Sequence, residues 1–281
     1  KEKKAWPYVW ADAEGYTHAN QRGSASGKLL VHDPQAPKIS ASGAWIGLAH
    51  APYQVNLNGV STMFDWQLDG KYYQYWARVD AKGNFTIPNA RPGTYILYAF
   101  NDGISGDYSK ADVTIQAGKT TQLGTLNWVP ERYGKQIWEI GVPNRSAEEF
   151  RHGDHYWQWG LYLLYPKEFP NDVDFIIGKS NYHQDWNYAQ CARLYTDGGY
   201  VGPTWKIEFN MPAKVTGTAT LRLAICGSYG PAPLNIKLNG VSVGTTGRLM
   251  ESSVMHRDGI RSEALIPRDI KFNAGLLQPG N

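Results

Sequence analysis

The densest group of chemically competent side chains in this chain is Arg151-His152-Gly153-Asp154-His155. Two imidazoles, a carboxylate and a guanidinium within five residues could supply a base, a metal ligand and an anion clamp. The spacing is not HExxH or another metal signature, and the segment reads equally as a solvated loop ahead of a strand. The other histidines are His18, His32, His50, His183 and His256. Carboxylates that could pair across a glycosidic bond are Glu148, Glu149, Asp154, Asp172, Asp174 and Asp185. Closeness in sequence does not set the separation such a pair needs, and Asp172 and Asp174 flank a strand start, where they cap turns. No GxSxG elbow, phosphate loop or nucleotide fingerprint occurs, and Gly103-Ile104-Ser105-Gly106 lacks the elbow's flanking pattern. No residue is assigned a catalytic role.

The aromatic side chains are the stronger signal. Eleven Trp and eighteen Tyr stand beside only eight Phe. Trp and Tyr join a flat apolar face to a polar edge, which suits sugar rings with their apolar C–H faces and hydroxyl rims; β-domains also use them in cores and cross-strand pairs. In HYWQWGLYLLY, read as a strand, Trp157, Trp159, Leu161 and Leu163 share the core side, and Tyr156, Gln158 and Tyr162 share the other. Tyr182, Trp186 and Tyr188 form a second set on one strand face, with Asp185 and Gln190 nearby. Either set could face carbohydrate, with packing against a neighbouring domain as the rival. Lys179, Arg193 and Arg222 could meet an anionic sugar or be ordinary surface charges.

The elements that would position these residues are short strands. Residues 1–20 read as a linker or edge segment. From Gln21 strands follow at QRGSASGKLLV and GAWIGLAH, separated by a Pro-rich loop. YYQYWARV leads into the turn Asp80-Ala81-Lys82-Gly83, then a strand with Phe85 and Ile87 on one face, then the turn Arg91-Pro92-Gly93 and TYILYAF. KADVTIQAGKTTQLGTLNW supplies two more strands, so 21–128 reads as a small β-sandwich of the transthyretin or fibronectin type III kind. Residues 129–136 read as a connector. A second β-domain runs over 137–281. A capping box, Ser146 with Glu149, predicts a short helix over 146–154. Strands are predicted at 156–164, 173–178, 186–194, 203–210, 217–226 and 233–243, the last turning at Asn239-Gly240. Several short strands with such turns point to a sandwich or jelly roll.

The bulk numbers agree with two folded domains and exclude other classes. With 281 residues, 42% apolar and 19% charged, the chain can bury two cores. The net charge of +3 builds no basic stripe for nucleic acid, though it is compatible with an acidic polymer. No apolar run reaches the roughly 18 residues of a membrane span. Lys1 to Lys4 reads as a mature or trimmed start without a signal peptide. Cys191 and Cys226 could pair or remain buried thiols. Asn84-Phe85-Thr86 and Asn144-Arg145-Ser146 fit the glycosylation sequon, which acts only in a eukaryotic secretory host.

Longer phrases carry a family resemblance. IWEIGVPNRSAEEFRHGD at 137 through YPKEFPNDVDFIIGKS at 165–180, with DWNYAQ and TWKIEF, resembles the third domain of rhamnogalacturonan lyases of polysaccharide lyase family 4. QRGSASGKLLV, GAWIGLA and YYQYWARVDAKGNFTIPNARPGTYILYAF resemble the second. The resemblance covers about residues 5–243. It implies an all-β chain, a fibronectin type III-like sandwich followed by a jelly roll resembling carbohydrate-binding modules. It also implies that the family's catalytic Lys and His belong to an N-terminal β-sandwich that has no counterpart here, so no position inherits them. In the family a Gly-Asn like Gly280-Asn281 leads into further strands, and the jelly roll is expected to lack its last ones. Such modules often hold structural Ca²⁺, for which Glu139 is the candidate ligand; no cofactor is required. The expectation is a secreted, non-catalytic fragment that binds plant cell-wall polysaccharide, pectin or hemicellulose. Its carbohydrate face would come from Tyr156, Tyr162, Tyr182, Trp186, Tyr188, Lys179 and Arg193, with a catalytic lyase domain as a further partner. The alternatives are a part of an active endolyase whose catalytic domain lies outside this chain, and a structural spacer.

Overall fold

The computed structural model describes residues 6–57, 60–67, 72–153, 160–187, 193–194, 200–225, 228, 233–249 and 265–279. The chain divides into two compact units, 1–132 and 133–281, with the division inside the predicted connector.

Among the described residues of unit 1 are the strands β1 Gly23–Val31, β2 Trp45–Ala49, β3 Tyr53–Leu57, β4 Val60–Phe64, β5 Tyr75–Arg78, β6 Asn84–Ala90, β7 Gly93–Phe100, β8 Tyr108–Ile115 and β9 Thr120–Trp128. One sheet has the order β6-β1-β9 and the other β5-β2-β7-β8. β1 runs antiparallel to β6 and parallel to β9. One hydrophobic cluster draws on both sheets: Ala25 and Leu29, Ile46 and Leu48, Phe85 and Ile87, Leu97 and Ala99, Val113 and Ile115. These residues alternate along their strands, as a sheet with one buried face requires. The turn between β5 and β6 forms as predicted. The Asp80 carboxylate accepts from the Lys82 and Asn84 backbone N–H groups at 2.8 and 2.7 Å, and Gly83 takes a left-handed φ of 86°.

The hairpin β3–β4 has no counterpart in the sequence reading. Behind it, Trp66 folds onto the outer face of the four-stranded sheet, only 7% exposed. Its ring stacks on Phe100 at 5.7 Å and meets Trp76 at 4.7 Å and Tyr98 at 5.7 Å. Gly47 makes this second layer possible. A Cβ there would lie 2.3 Å from the Trp76 ring. At the unit's end, Arg132 holds Asp33, whose side chain is fully buried.

Unit 2 contains α1 Leu161–Glu168, β10 Val173–Ile176, α2 Tyr182–Asp185, β11 Arg193–Leu194, β12 Tyr200–Val201, β13 Trp205–Glu208, β14 Thr218–Ile225, β15 Asn235–Leu238, β16 Val241–Thr245 and β17 Ile266–Asn273. The described strands pair as β10–β13, parallel, and as antiparallel β11–β12, β14–β17 and β15–β16. The β15–β16 turn falls at Asn239-Gly240, with φ of 49° and 81°, the two positive values that a tight two-residue hairpin demands. Apart from short helices the chain is all-β.

Three local expectations in this unit are corrected. Residues 146–153 form turns, not a helix, because the Glu149 carboxylate that would close the capping box instead accepts from the Val142 N–H. Of the strand predicted at 156–164, residues 156–159 lie outside the described residues and 161–164 belong to α1. Gly160 supplies a left-handed entry with φ of 92°, and Tyr165, 1% exposed, anchors the helix. Of the strand predicted at 186–194, residues 186–187 are not in a strand, 188–192 lie outside the described residues and 193–194 form β11. The segment before it turns as α2, with Asn181 Oδ1 accepting from the His183 N–H and Asp185 Oδ2 accepting from the Asn181 N–H.

Candidate functional site

The candidate site is built on the parallel pair β10–β13. Val173 faces Trp205 and Phe175 faces Ile207 in register, while Asp174 faces Lys206 on the opposite side. On that charged side Lys206 donates to Asp174 at 3.1 Å and bonds to Glu208; these groups are exposed, so they add little stability. On the other side Phe175 is 2% exposed and is covered from α2 and the residue that follows it. The Tyr182 ring stacks on Phe175 at 5.7 Å and 14°. Trp186 meets the same ring edge-on at 5.5 Å and 88°, and lies parallel to Trp205 at 5.7 Å and 13°. Phe150 approaches Tyr182 at 6.1 Å and Trp186 at 6.4 Å.

Polar groups fix this cluster. The Tyr182 hydroxyl donates to the Glu139 carbonyl at 3.2 Å. Trp205 Nε1 donates to Oδ1 of the buried Asn187 at 2.7 Å. A cavity of about 10 Å³ bordered by Tyr165, Asn187, Thr204 and Trp205 has room for a single water and none for a sugar. Tyr182 and Trp186 remain half-buried, so each keeps ring surface toward solvent while its other side packs. Lys179 stands exposed in the turn after β10, three residues before Tyr182.

The charged groups near this cluster are committed to one another. Arg151 Nε donates to Glu168 at 2.5 Å, and His152 Nε2 lies 2.8 and 3.0 Å from the two Glu168 oxygens. Burial pushes the Glu168 carboxyl up, but the Arg151 and His152 hydrogen bonds outweigh it and hold it below its ordinary value. The Arg151-His152 motif thus clamps the end of α1. Glu149 has the reverse balance: burial raises its pKa against backbone hydrogen bonds from the Val142 and Glu149 N–H groups. Arg222 is also engaged. Its guanidinium donates to both Asp269 oxygens at 2.7 and 2.8 Å and lies 4.9 Å from the Tyr133 ring centre.

Of the carbohydrate-binding residues expected from sequence, Tyr182 and Trp186 are brought together, on a short helix and its extended cap instead of the expected strand face. Tyr156 and Tyr188 lie outside the described residues, as do Asp154, His155, Cys191 and Cys226. Tyr162 lies in α1 and Arg193 in β11, and their side chains lie outside what is described. The sequence reading did not single out Phe150, Phe175 or Trp205, although Phe175 alternates with Val173 in a strand it did predict. Glu139 has an exposed side chain, and among the described residues no three His, Cys, Asp or Glu side chains gather as a metal site.

Residues 136–281 match the profile described as CBM-like, polysaccharide lyase family 4, domain III. Residues 41–123 match fn3_3, polysaccharide lyase family 4, domain II. A rhamnogalacturonate lyase of Dickeya dadantii is 32% identical over 288 residues, covering 99% of this chain and 43% of its own length. Rhamnogalacturonate lyase B of Emericella nidulans is 29% identical over 242 residues, covering 76% of this chain and 33% of the relative. A protein of Aspergillus niger named probable rhamnogalacturonate lyase B is 32% identical over 185 residues, 62% of this chain and 24% of that one. The chain therefore spans well under half the length of these curated relatives.

Proposed function

The chain belongs to polysaccharide lyase family 4, as its domains II and III, and from that membership we propose that it is a non-catalytic, carbohydrate-binding part of a secreted rhamnogalacturonate lyase-like protein. Its ligand is a plant cell-wall polysaccharide, pectin or hemicellulose, and the cleavage chemistry resides outside this chain. The observation that carries the reading is the match of 136–281 to a domain described as CBM-like.

The binding face we assign lies around α2, where Tyr182 and Trp186 present half-buried rings and Lys179 adds an exposed cation. Affinity electrophoresis of the full chain through gels carrying rhamnogalacturonan I, galactan, xylan or β-glucan tests the reading. Retardation by at least one polymer is expected, with no unsaturated product released from rhamnogalacturonan I. Free migration through all of them would overturn the binding function, and product formation would overturn the non-catalytic one. The extensive ring packing of Trp186 favours a second reading, a spacer whose aromatics only stabilise the fold, which the same free migration would support.

A further inference from the structure

Residues 150–152 of unit 2 form a turn whose side chains go two ways. The Phe150 ring meets α2 and the residue after it, 6.1 Å from the Tyr182 ring at 70° and 6.4 Å from the Trp186 ring at 38°. The next two side chains meet the end of α1. Arg151 Nε donates to Glu168 Oε2 at 2.5 Å, and His152 Nε2 lies 2.8 Å from that oxygen and 3.0 Å from the other. The His152 ring also lies 6.0 Å from the ring of Tyr165, whose hydroxyl donates to the Arg151 carbonyl. The backbone is tied to the aromatic side as well, since the Arg151 N–H donates to the Trp186 carbonyl at 3.4 Å.

This turn is not a relaxed loop. His152 takes a left-handed φ of 58°, a conformation that side chains seldom adopt unless the surroundings impose it. Phe150 is seated closely over Gly141, where a Cβ would lie 2.6 Å from the Phe150 Cζ atom. The imidazole and guanidinium bonds to Glu168 are of the strong, charge-assisted kind. They hold one end of the turn while the other end sets a ring against the candidate binding face.

We infer that Glu168 is a positioning residue for the aromatic face around α2. By holding Arg151 and His152 on α1 it sets Phe150 against Tyr182 and Trp186, and so fixes the angle at which those rings meet a ligand. Binding constellations depend on such supporting side chains, and a looseness of about 1 Å is enough to weaken them. The effect on a ligand rests on the binding face proposed above, whereas the ring positions are read without any ligand.

The test uses the full chain labelled with 5-fluorotryptophan. The fluorine resonance of Trp186 is the one missing from Trp186→Phe. Glu168→Ala is expected to shift or broaden it. Glu168→Gln keeps the side chain's size and one oxygen acceptor; it is expected to shift the resonance the same way by less, and it carries the test if the alanine variant does not fold. With oligosaccharides of any polymer that retards the parent, titration calorimetry is expected to show binding weakened about threefold or more by Glu168→Ala. Thr246→Val is the control for lost stability. It removes a hydroxyl that accepts from the Leu234 N–H at 2.9 Å, so it should lower the unfolding midpoint and leave the resonance and the affinity at parental values. An unmoved Trp186 resonance in the Glu168 variants overturns the inference. So does a shift in Thr246→Val as large as that in Glu168→Ala, or a moved resonance with unchanged affinity. If the parent binds no polymer, the proposed function fails, and the resonance alone decides whether Glu168 positions the rings.

Discussion

Trp186→Ala separates packing from binding in the candidate site. The Trp186 ring lies parallel to Trp205, edge-on to Phe175 and close to Phe150. A Trp side chain buries about 150–250 Å² in a core, so a half-buried one hides about 100 Å². At about 25 cal/mol per Å² that burial contributes about 2.5 kcal/mol. Two well-formed ring pairs add about 1 kcal/mol between them. The expected loss is therefore about 3.5 kcal/mol, towards the lower end of the range for truncating a core aromatic. Trp186→Phe keeps a ring against Phe175 and should recover more than half of it. Urea unfolding of the full chain, followed by near-ultraviolet circular dichroism, reads the difference, with each unit fitted as its own transition. In polysaccharide gels Trp186→Ala is expected to lose retardation and Trp186→Phe to keep most of it. A Trp186→Ala chain as stable as the parent within about 0.5 kcal/mol would refute the packing argument, because a ring with those neighbours cannot vanish without cost.

Three further outcomes follow from other parts of the molecule. Asp33→Ala should cost about 3 kcal/mol, because it leaves Arg132 and the Gln35 N–H without their acceptor. Hydrogen bonds from Arg132 hold the Asp33 pKa below its ordinary value; its contribution is present above the unfolded pKa near 4 and is lost as pH falls through the lower folded one, so parent and variant melting temperatures should converge only in acid. Burial holds the Glu149 pKa up, so the parent loses stability as pH rises from the unfolded value through the folded one. Thermal melts of Glu149→Gln should therefore match the parent at low pH and exceed it at neutral pH, and a variant less stable at neutral pH contradicts that balance. Gly47→Ala drives a methyl into Trp76 and should cost about 2 kcal/mol in a chemical unfolding curve; an unchanged curve would mean that the Trp66–Trp76 layer yields freely.

Where a local rule is strong and nothing distant competes, the sequence was readable. Asp80 to Gly83 and Asn239-Gly240 announce turns because few residues tolerate the backbone angles those turns need, and both appear. The β3–β4 hairpin has a comparable local signal in the sequence Asn58-Gly59 between two alternating runs. The run from Leu161 to Tyr165 is apolar at nearly every position, so period two and period 3.6 fit it alike, and the choice of helix comes from Gly160 and the burial of Tyr165. The parallel pairing of β1 with β9 joins residues about a hundred positions apart, and no local pattern specifies it. The site was half legible. Tyr182 and Trp186 were singled out, but Phe175 and Trp205, which decide what those rings do, read as ordinary strand residues. Glu168 escaped notice because its partners lie 16 and 17 positions away.

The guanidinium groups bear on which sugars this chain can read. Arg22 is held by two carbonyls under Trp6, Arg132 by Asp33, Arg151 by Glu168, and Arg222 by both oxygens of Asp269. Arg78 lies 3.7 Å from the Trp45 ring centre while donating to the Gly43 carbonyl at 2.6 Å. A uronate reaching any of these would have to displace an acceptor already held by charge-assisted or preorganised bonds, and would release a buried or half-buried group in exchange. Such a trade yields little affinity, because the new carboxylate only replaces the old partner. Among the described residues an acidic chain is better met by exposed cations outside these pairs, such as Arg248 and Lys179. The rings present a different balance. Tyr182, Trp186, Tyr8 and Trp10 keep solvent-facing surface that no internal partner occupies fully, and C–H faces of neutral sugars can use it without breaking anything. These five arginines therefore hold the fold together, and the solvent-facing rings are the surface a ligand would meet without displacing an internal partner.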